Sequence, residues 1–253
     1  MKKYLTLLFS LCVLLSCSSD NDELIKEITV SLKFTQNWDG TSFTKTDLSK
    51  TEYTNKLGTK LSIDRLRYLI SRVALMDGKG NVTLFDGYKL VDVSEDESLT
   101  FKLPKKVSEG SYQLSFVFGF NNEDNKDGEY ADLNTTLWDV PAMLGGGYHF
   151  MQMDGKYKDA SFNQANFNYH AIKAYNTATK ETEDTFFTVD LGSINISNNA
   201  TIEVKMNIAE WFKNPNDWDL NVLNTMLMPN FDAQKQMHAN GKSGVFSLGT
   251  ITQ

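Results

Sequence analysis

Cysteine is almost absent from this chain. The two cysteines, Cys12 and Cys17, lie within the first 17 of 253 residues. The remainder of the chain therefore excludes disulfides, thiolate metal sites and cysteine nucleophiles. A fold without such cross-links depends on its hydrophobic core, and about 230 residues are enough to build one.

The motifs of the common enzyme classes are also missing. The sequence contains no G-x-S-x-G nucleophile turn, no P-loop, no H-E-x-x-H zinc motif and no G-x-G-x-x-G that opens a helix. Gly145–Gly147 precedes a strand-like segment, so it predicts a turn and not a phosphate-binding loop. We therefore expect a protein that is not an enzyme.

Long apolar runs are confined to the start of the chain. Two lysines precede the apolar stretch Leu5–Leu15, which is too short to span a bilayer and is typical of a signal peptide. The following Ser16-Cys17 completes a sequence that resembles the bacterial lipobox. We predict a lipoprotein signal peptide over residues 1–16 and acylation of Cys17; the alternative is an ordinary signal peptide that contains cysteine. Several acyl chains would anchor the protein durably, in the bacterial outer membrane and facing the periplasm or the cell surface.

The mature chain divides into two parts. Residues 17–27 are polar and acidic and predict a short disordered tether. Residues 28–253 contain no internal repeat and no linker rich in proline or serine, so they predict a single domain. Loss of Lys2 and Lys3 with the signal peptide would take the formal charge from −7 to −9. This acidic balance argues against nucleic-acid binding.

Short segments of alternating apolar and polar residues dominate the domain. Residues 28–34 alternate as a half-buried strand does, and residues 110–118 place large apolar side chains on one face. Ten or more such strands, separated by Gly, Asn and Asp turns, predict an all-β antiparallel sandwich with one or two short helices. The predicted helices are Ile208–Phe212 and residues 230–241, the second with Asp232 as its cap and Gly241 as its end.

The acidic segment Asn121–Asn134 has a partial calcium-loop pattern. Glu123, Asn125, Asp127 and Gly128 fall at positions 1, 3, 5 and 6 of an EF-hand-like loop. Position 12 is Asn134 instead of a bidentate glutamate, and no flanking helices are evident. A solvated acidic hairpin loop is therefore the favoured interpretation, with a calcium site as the alternative.

Histidine and methionine occur together after the three glycines. Strand alternation places His149, Met151 and Met153 on one face, and His170 on a second strand. Imidazole and thioether donors suit copper, Cu(I) in particular. Two histidines on neighbouring strands, with Met143, Met151 or Met153 as a third donor, predict a Cu(I) site. The alternative is that the methionines fill the core and the histidines only form hydrogen bonds.

Ordered blocks across most of the mature chain match one known pattern. The most specific are Leu66-Arg67-Tyr68 with Ser71 and the block Leu133–Gly155; others are LKFTQNWDGTSF, SYQLSFVFGFN, FNYHAI and MPNFDAQKQMHANGKSGVFSLGTI. In these blocks the chain resembles the MbnP-like family, exported β-rich proteins associated with copper. Genes for MbnH-like di-haem cytochrome c peroxidases often lie beside theirs.

This resemblance implies particular site residues. Members of the family bind copper through histidine and a tryptophan that the di-haem partner oxidises to kynurenine, and they carry a tryptophan-rich segment just before Gly-Tyr-x-Phe. Here that segment holds Trp138, displaced from the nearer positions, which are Ala142 and Leu144. His149 and His170 stand where the family pattern accommodates histidine. Relatives often also have a histidine near the amino-terminal N-W-D-G, where this chain has Gln36.

Two functions follow from the sequence. The first is a lipid-anchored, copper-binding protein of the cell envelope that acts with a di-haem peroxidase. The alternative is a metal-free structural or adhesion lipoprotein of the cell surface.

Overall fold

The computed structural model describes residues 26–253, so the predicted signal peptide and Cys17 lie outside the described residues. Of the predicted tether 17–27, only Lys26 and Glu27 are described, and Glu27 pairs with Ser108 in a short strand. None of the helices within residues 26–253 has the length and apolar character needed to cross a bilayer.

Short strands joined by turns make up most of the chain. In chain order the strands are β1 (Glu27–Ile28), β2 (Val30–Trp38), β3 (Thr41–Phe43), β4 (Tyr53–Thr54), β5 (Lys60–Asp77), β6 (Val82–Leu84), β7 (Tyr88–Asp92), β8 (Thr100–Lys102), β9 (Val107–Ser108), β10 (Gly110–Phe118), β11 (Met151–Lys158), β12 (Gln164–Ala171), β13 (Ala174–Tyr175), β14 (Thr182–Glu183), β15 (Phe187–Ile196), β16 (Ala200–Asn207) and β17 (Phe246–Thr252). The α-helices are α1 (Ala131–Thr135) and α2 (Phe231–Lys242), and 3-10 turns occupy Asp96–Leu99, Ala142–Leu144 and Ile208–Phe212.

The larger sheet is organised around the long strand β5. The first half of β5 pairs with β11 and the second half with β10, and the order is β12-β11-β5-β10-β15, all antiparallel. Strands β4, β6 and β7 also pair with β5. Because β12 ends this path, the strand that carries His170 has one edge outside the sheet.

The smaller sheet has the order β17-β16-β2-β3, with β8 also paired to β2. Strands β16 and β2 run parallel, with Ala200 opposite Val30, which departs from the antiparallel pairing predicted throughout. Parallel neighbours cannot be joined by a tight hairpin. Here the whole larger sheet lies in the chain between them.

Aromatic side chains fill the space between the two sheets. Phe34 of β2 lies edge-on to Tyr68 of β5, with ring centroids 6.1 Å apart. Phe246 of β17 packs against Tyr68 at 6.0 Å and against Phe116 at 5.3 Å. These buried contacts join the inner faces of both sheets, and the predicted all-β sandwich is confirmed.

Helix α2 forms where the sequence predicted it, but its ends differ. Asn230 is the cap: its side chain accepts a hydrogen bond from the Ala233 amide, whereas Asp232 lies in the first turn. Gly241 is buried inside the helix and does not end it. A Cβ at Gly241 would lie 2.7 Å from ring atoms of Phe187 and Trp211, so this glycine permits close packing of α2 on the core. The predicted helix Ile208–Phe212 is a 3-10 turn.

Candidate metal centre

A turn of three glycines brings His149 back beside Trp138. Gly145, Gly146 and Gly147 all adopt positive φ, at 101°, 71° and 76°, a region that favours glycine. The chain on either side then pairs, and the carbonyl oxygen of Trp138 accepts a hydrogen bond from the His149 amide at 2.9 Å. The three glycines are therefore a turn, as predicted.

The ring of His149 is buried with one nitrogen unpaired. Its Nδ1 lies 3.0 Å from the Trp138 carbonyl oxygen, which can only accept, so Nδ1 carries the proton. Its Nε2 is buried and has no hydrogen-bond partner. Burial lowers the pKa of His149 to about 4. The neutral ring therefore has an unshared electron pair on Nε2. A buried polar atom without a hydrogen-bond partner lowers the stability of the fold.

His170 stands next to the ring of His149. The two imidazole rings have centroids 5.3 Å apart and cross at 81°. Nε2 of His170 lies 2.8 Å from Oδ1 of Asp154 on the neighbouring strand β11, which leaves Nδ1 outside that contact. A carboxylate that holds one nitrogen of a histidine while the other faces a metal is a recurrent arrangement in metal sites.

Asp154 is itself fixed by neighbouring side chains. Oδ1 accepts a hydrogen bond from Nδ2 of Asn168 at 2.6 Å, and Oδ2 accepts one from Nε of Arg65 at 2.5 Å. Burial alone would raise the pKa of Asp154, but the hydrogen bonds from His170 and Asn168 outweigh it and lower the pKa to about 2. Asp154 is therefore a carboxylate at neutral pH, with its orientation set by three partners.

Met151 and Met153 do not join the two histidines. Gln152 pairs directly with His170 across β11 and β12, so Met151 and Met153 project from the opposite face, where both are fully buried in the core. A bend at Phe150 breaks the predicted alternation and separates His149 from the face of the methionines. The prediction that the three side chains share a face is therefore wrong. Met143 is 77% exposed on the 3-10 turn before the glycines.

Trp138 packs beside His149 and is completely buried. Their ring centroids are 5.7 Å apart, and the indole Nε1 has no hydrogen-bond partner. The guanidinium carbon of Arg67 lies 5.2 Å from the centre of the indole ring, a cation–π contact. Gln152 holds Arg67 and the backbone before Trp138 in place. It accepts a hydrogen bond from Arg67 and donates one to the carbonyl oxygen of Leu137. Although displaced in sequence, Trp138 is adjacent to the histidine pair in space.

The predicted calcium loop holds the glycine turn in place. Oδ1 of Asn125 accepts a hydrogen bond from the Tyr148 amide at 2.8 Å, and Asp127 accepts one from the Gly147 amide. A Cβ on Gly147 would lie 2.4 Å from Oδ1 of Asn125. The loop therefore lies directly against the turn that positions His149.

The other predicted calcium ligands are also engaged by protein groups. Glu123 pairs with Arg72 at 2.5 Å. The carbonyl oxygen of Gly128 accepts a hydrogen bond from Nδ2 of Asn134 at 3.1 Å. Within residues 26–253, no three or more His, Cys, Asp or Glu side chains are grouped as a metal site. The two histidines therefore stand as a pair.

Gln36, at the position where relatives often have histidine, serves the core. It is 4% exposed, and its Nε2 donates a hydrogen bond of 2.9 Å to the hydroxyl of the fully buried Tyr68. Tyr68 pairs with Met151 across β5 and β11.

A model of the MbnP family matches residues 27–229 of this chain. The chain belongs to the MbnP family. Among solved structures, MbnP from Methylosinus trichosporium matches with a TM-score of 0.58 and 12% identity, over 89% of this chain and 99% of that chain. An identity this low supports a common fold only. A comparison with curated proteins gives no match.

Within this MbnP-family chain, the sequence predicted the two histidines and Trp138 as candidate site residues, but it did not predict the contact of Asp154 with His170. Asp154 follows the predicted methionines directly, and Asn168 lies two residues before His170 on the same face of its strand. Strand alternation with the correct register between β11 and β12 would have placed both beside His170. The register itself was not available from the sequence.

Proposed function

We propose that this MbnP-family protein binds Cu(I) as cargo in the bacterial cell envelope and has no catalytic activity of its own. Nε2 of His149 and Nδ1 of His170 would hold the ion. The observation that carries this proposal is the buried, unpaired Nε2 of a neutral histidine beside a second histidine. Two imidazole nitrogens suit Cu(I), which accepts low coordination numbers and soft or borderline donors.

Asp154 supports the same proposal. Its hydrogen bond to Nε2 of His170 directs the remaining lone pair to Nδ1, and Asn168 and Arg65 keep the carboxylate in place. Such partners fix the tautomer of a ligand and raise its basicity. The chain thus supplies two donor nitrogens, each with its tautomer set by another group.

The cellular setting of the proposal rests on the sequence. A lipobox-like Leu14-Leu15-Ser16-Cys17 supports acylation at Cys17 and anchoring in the outer membrane, with the domain on the periplasmic or the outer face. Family membership supports a role in copper handling associated with methanobactin-type systems, with a di-haem peroxidase as the partner.

Trp138 is the residue on which such a peroxidase would act. It lies beside His149, but its ring is completely buried, so its oxidation would proceed by electron transfer through the protein and not by direct contact with the haem. Incubation with a di-haem peroxidase and hydrogen peroxide, followed by intact-mass and peptide analysis, tests this. An unchanged mass at Trp138 rejects this part of the proposal.

Copper binding is tested by competition for Cu(I) with a chromophoric chelator. Wild-type protein should withdraw Cu(I), and His149→Ala and His170→Ala should lose this ability. His238→Ala is the matched control, since His238 lies on α2 against Phe187. No competition by the wild type, or unchanged competition by both site variants, rejects the proposal. The metal-free structural alternative predicts instead that both substitutions lower thermal stability and that no metal affinity exists to be changed.

A further inference from the structure

The loop that precedes α2 lies along the free edge of β12, the strand that carries His170. The Asn168 amide of β12 donates a hydrogen bond of 2.7 Å to the carbonyl oxygen of Asn224. Gln234 of α2 donates from one nitrogen to the carbonyl oxygens of both His170, at 2.8 Å, and Leu227, at 3.0 Å. Met226 lies in the chain between these two attachments to β12.

Met226 is displayed on the solvent side of this edge. Leu227 is 3% exposed in the core, whereas Met226 is 78% exposed. His170, Asp154 and Asn168 form their hydrogen bonds on the same outer side of the sheet, opposite the core methionines. The backbone of Met226 is therefore held at the edge of the strand that carries His170, and its thioether is open to solvent.

The backbone at Met226 is held in a conformation that side chains rarely adopt. Its φ is +56°, in the left-handed region that favours glycine. The loop around it is fixed, because Nδ2 of Asn224 donates to the Tyr157 hydroxyl at 2.8 Å and Oδ1 of Asn224 accepts from the Thr225 amide at 2.7 Å. Residues held in such backbone conformations cluster at ligand-binding and catalytic sites.

We propose that Met226 is the soft donor through which Cu(I) reaches and leaves the His149–His170 pair, a role that rests on the proposed function of that site. A thioether binds Cu(I) without losing a proton and, unlike Met151 and Met153, Met226 is open to solvent. The step is a ligand exchange. The complex that delivers Cu(I) releases the ion as Met226 binds it, and the imidazole nitrogens then replace the thioether. Copper stays Cu(I), and no bond of the protein breaks.

The kinetics of transfer test this role. Stopped-flow mixing with a Cu(I)–bicinchoninate complex should show uptake about tenfold slower for Met226→Leu than for the wild type, because one soft-donor contact is lost on the path. Release to excess chelator should slow equally, so the equilibrium affinity should not change. Met76→Leu is the matched control, since Met76 is 40% exposed at the far end of β5. Unchanged rates in Met226→Leu, or a loss of equilibrium affinity, overturn the inference.

A second measurement separates this inference from the proposed function. Methionine methyl groups labelled with carbon-13 report Ag(I), a redox-stable substitute for Cu(I), by NMR. In the His149→Ala/His170→Ala double variant, the Met226 methyl signal should still shift with Ag(I) while that of Met76 does not. If the histidine pair binds no metal but the methyl signal of Met226 shifts with Ag(I), only the proposed function fails. If the methyl signal of Met226 does not shift with Ag(I) in the wild type or in the double variant, Met226 has no role in copper transfer.

Discussion

The imidazole ring of His149 lies edge-on to that of His170, with their centroids 5.3 Å apart and one buried nitrogen of His149 unpaired. Residues on either side of this pair fix it from different parts of the chain. The Trp138 carbonyl sets the tautomer of His149, and Asp154 sets that of His170. The pair therefore has little freedom to turn its donor nitrogens elsewhere.

Replacement of Asp154 by asparagine should weaken Cu(I) binding by roughly 10- to 100-fold, because His170 loses the carboxylate that orients it. Chelator competition measures the change. Asp217→Asn is the control, since Asp217 pairs with Lys56 away from the site. Equal affinities for Asp154→Asn and the wild type would show that His170 needs no carboxylate partner.

Acid should destabilise the metal-free protein through His149. An unfolded histidine binds its proton near pH 6.5, whereas burial lowers the pKa of folded His149 to about 4. Between these values the unfolded state holds more protons, so this contribution is complete above pH 6.5 and is lost as pH falls through 4. The loss should reach about 3 kcal/mol.

Urea unfolding at several pH values, with a copper chelator present, measures this dependence. His149→Gln should lack that part of the decrease between pH 6.5 and 4, whatever its stability at neutral pH. A parallel decrease in the variant and the wild type would assign the acid sensitivity to other groups.

Loss of the Tyr68 hydroxyl should destabilise the core. Tyr68→Phe leaves the buried Nε2 of Gln36 without its acceptor and should cost roughly 1–3 kcal/mol of unfolding free energy. Gln36→Leu combined with Tyr68→Phe should cost less than the sum of the two single changes, since no polar group is then left unpaired. Additive costs in chemical denaturation would contradict a direct coupling between the two side chains.

Alanine should be tolerated much less at Gly147 than at Gly40. Both have positive φ, +76° and +87°, but only at Gly147 does the added Cβ meet another group, Oδ1 of Asn125 at 2.4 Å. Gly40→Ala should cost roughly 1–2 kcal/mol from backbone strain alone, and Gly147→Ala roughly 2–5 kcal/mol. Thermal unfolding compares them, and equal costs would mean that the 121–134 loop does not constrain the glycine turn.

The buried methionines should not matter for copper affinity. Met153→Leu nearly conserves volume and should cost less than about 1.5 kcal/mol of stability, with Cu(I) affinity unchanged because Met153 faces the core. Chelator competition checks this, with His170→Ala as the positive control for loss. A marked loss of affinity in Met153→Leu would show that the thioether reaches the site.

The sequence by itself determined the class of fold, the family and the position of α2, and it predicted His149 and His170 as candidate ligands. These follow from local signals, namely strand alternation, turn glycines and ordered motifs, which the residues carry whatever lies beside them. The sequence also placed Gly145–Gly147 correctly as a turn. The lipid anchor at Cys17 stays a prediction.

Only the tertiary structure decided which residues meet. The register of β11 against β12 puts Gln152, and not a methionine, opposite His170. The bend at Phe150 turns His149 away from Met151 and Met153, and the pairing of Trp138 with His149 closes a sequence gap of eleven residues. Because a change of one residue in register moves every side chain to the other face, alternation alone could not select the partners of His170. The same long-range contacts leave Nε2 of His149 buried and unpaired, a property that belongs to the packed site and to no single segment.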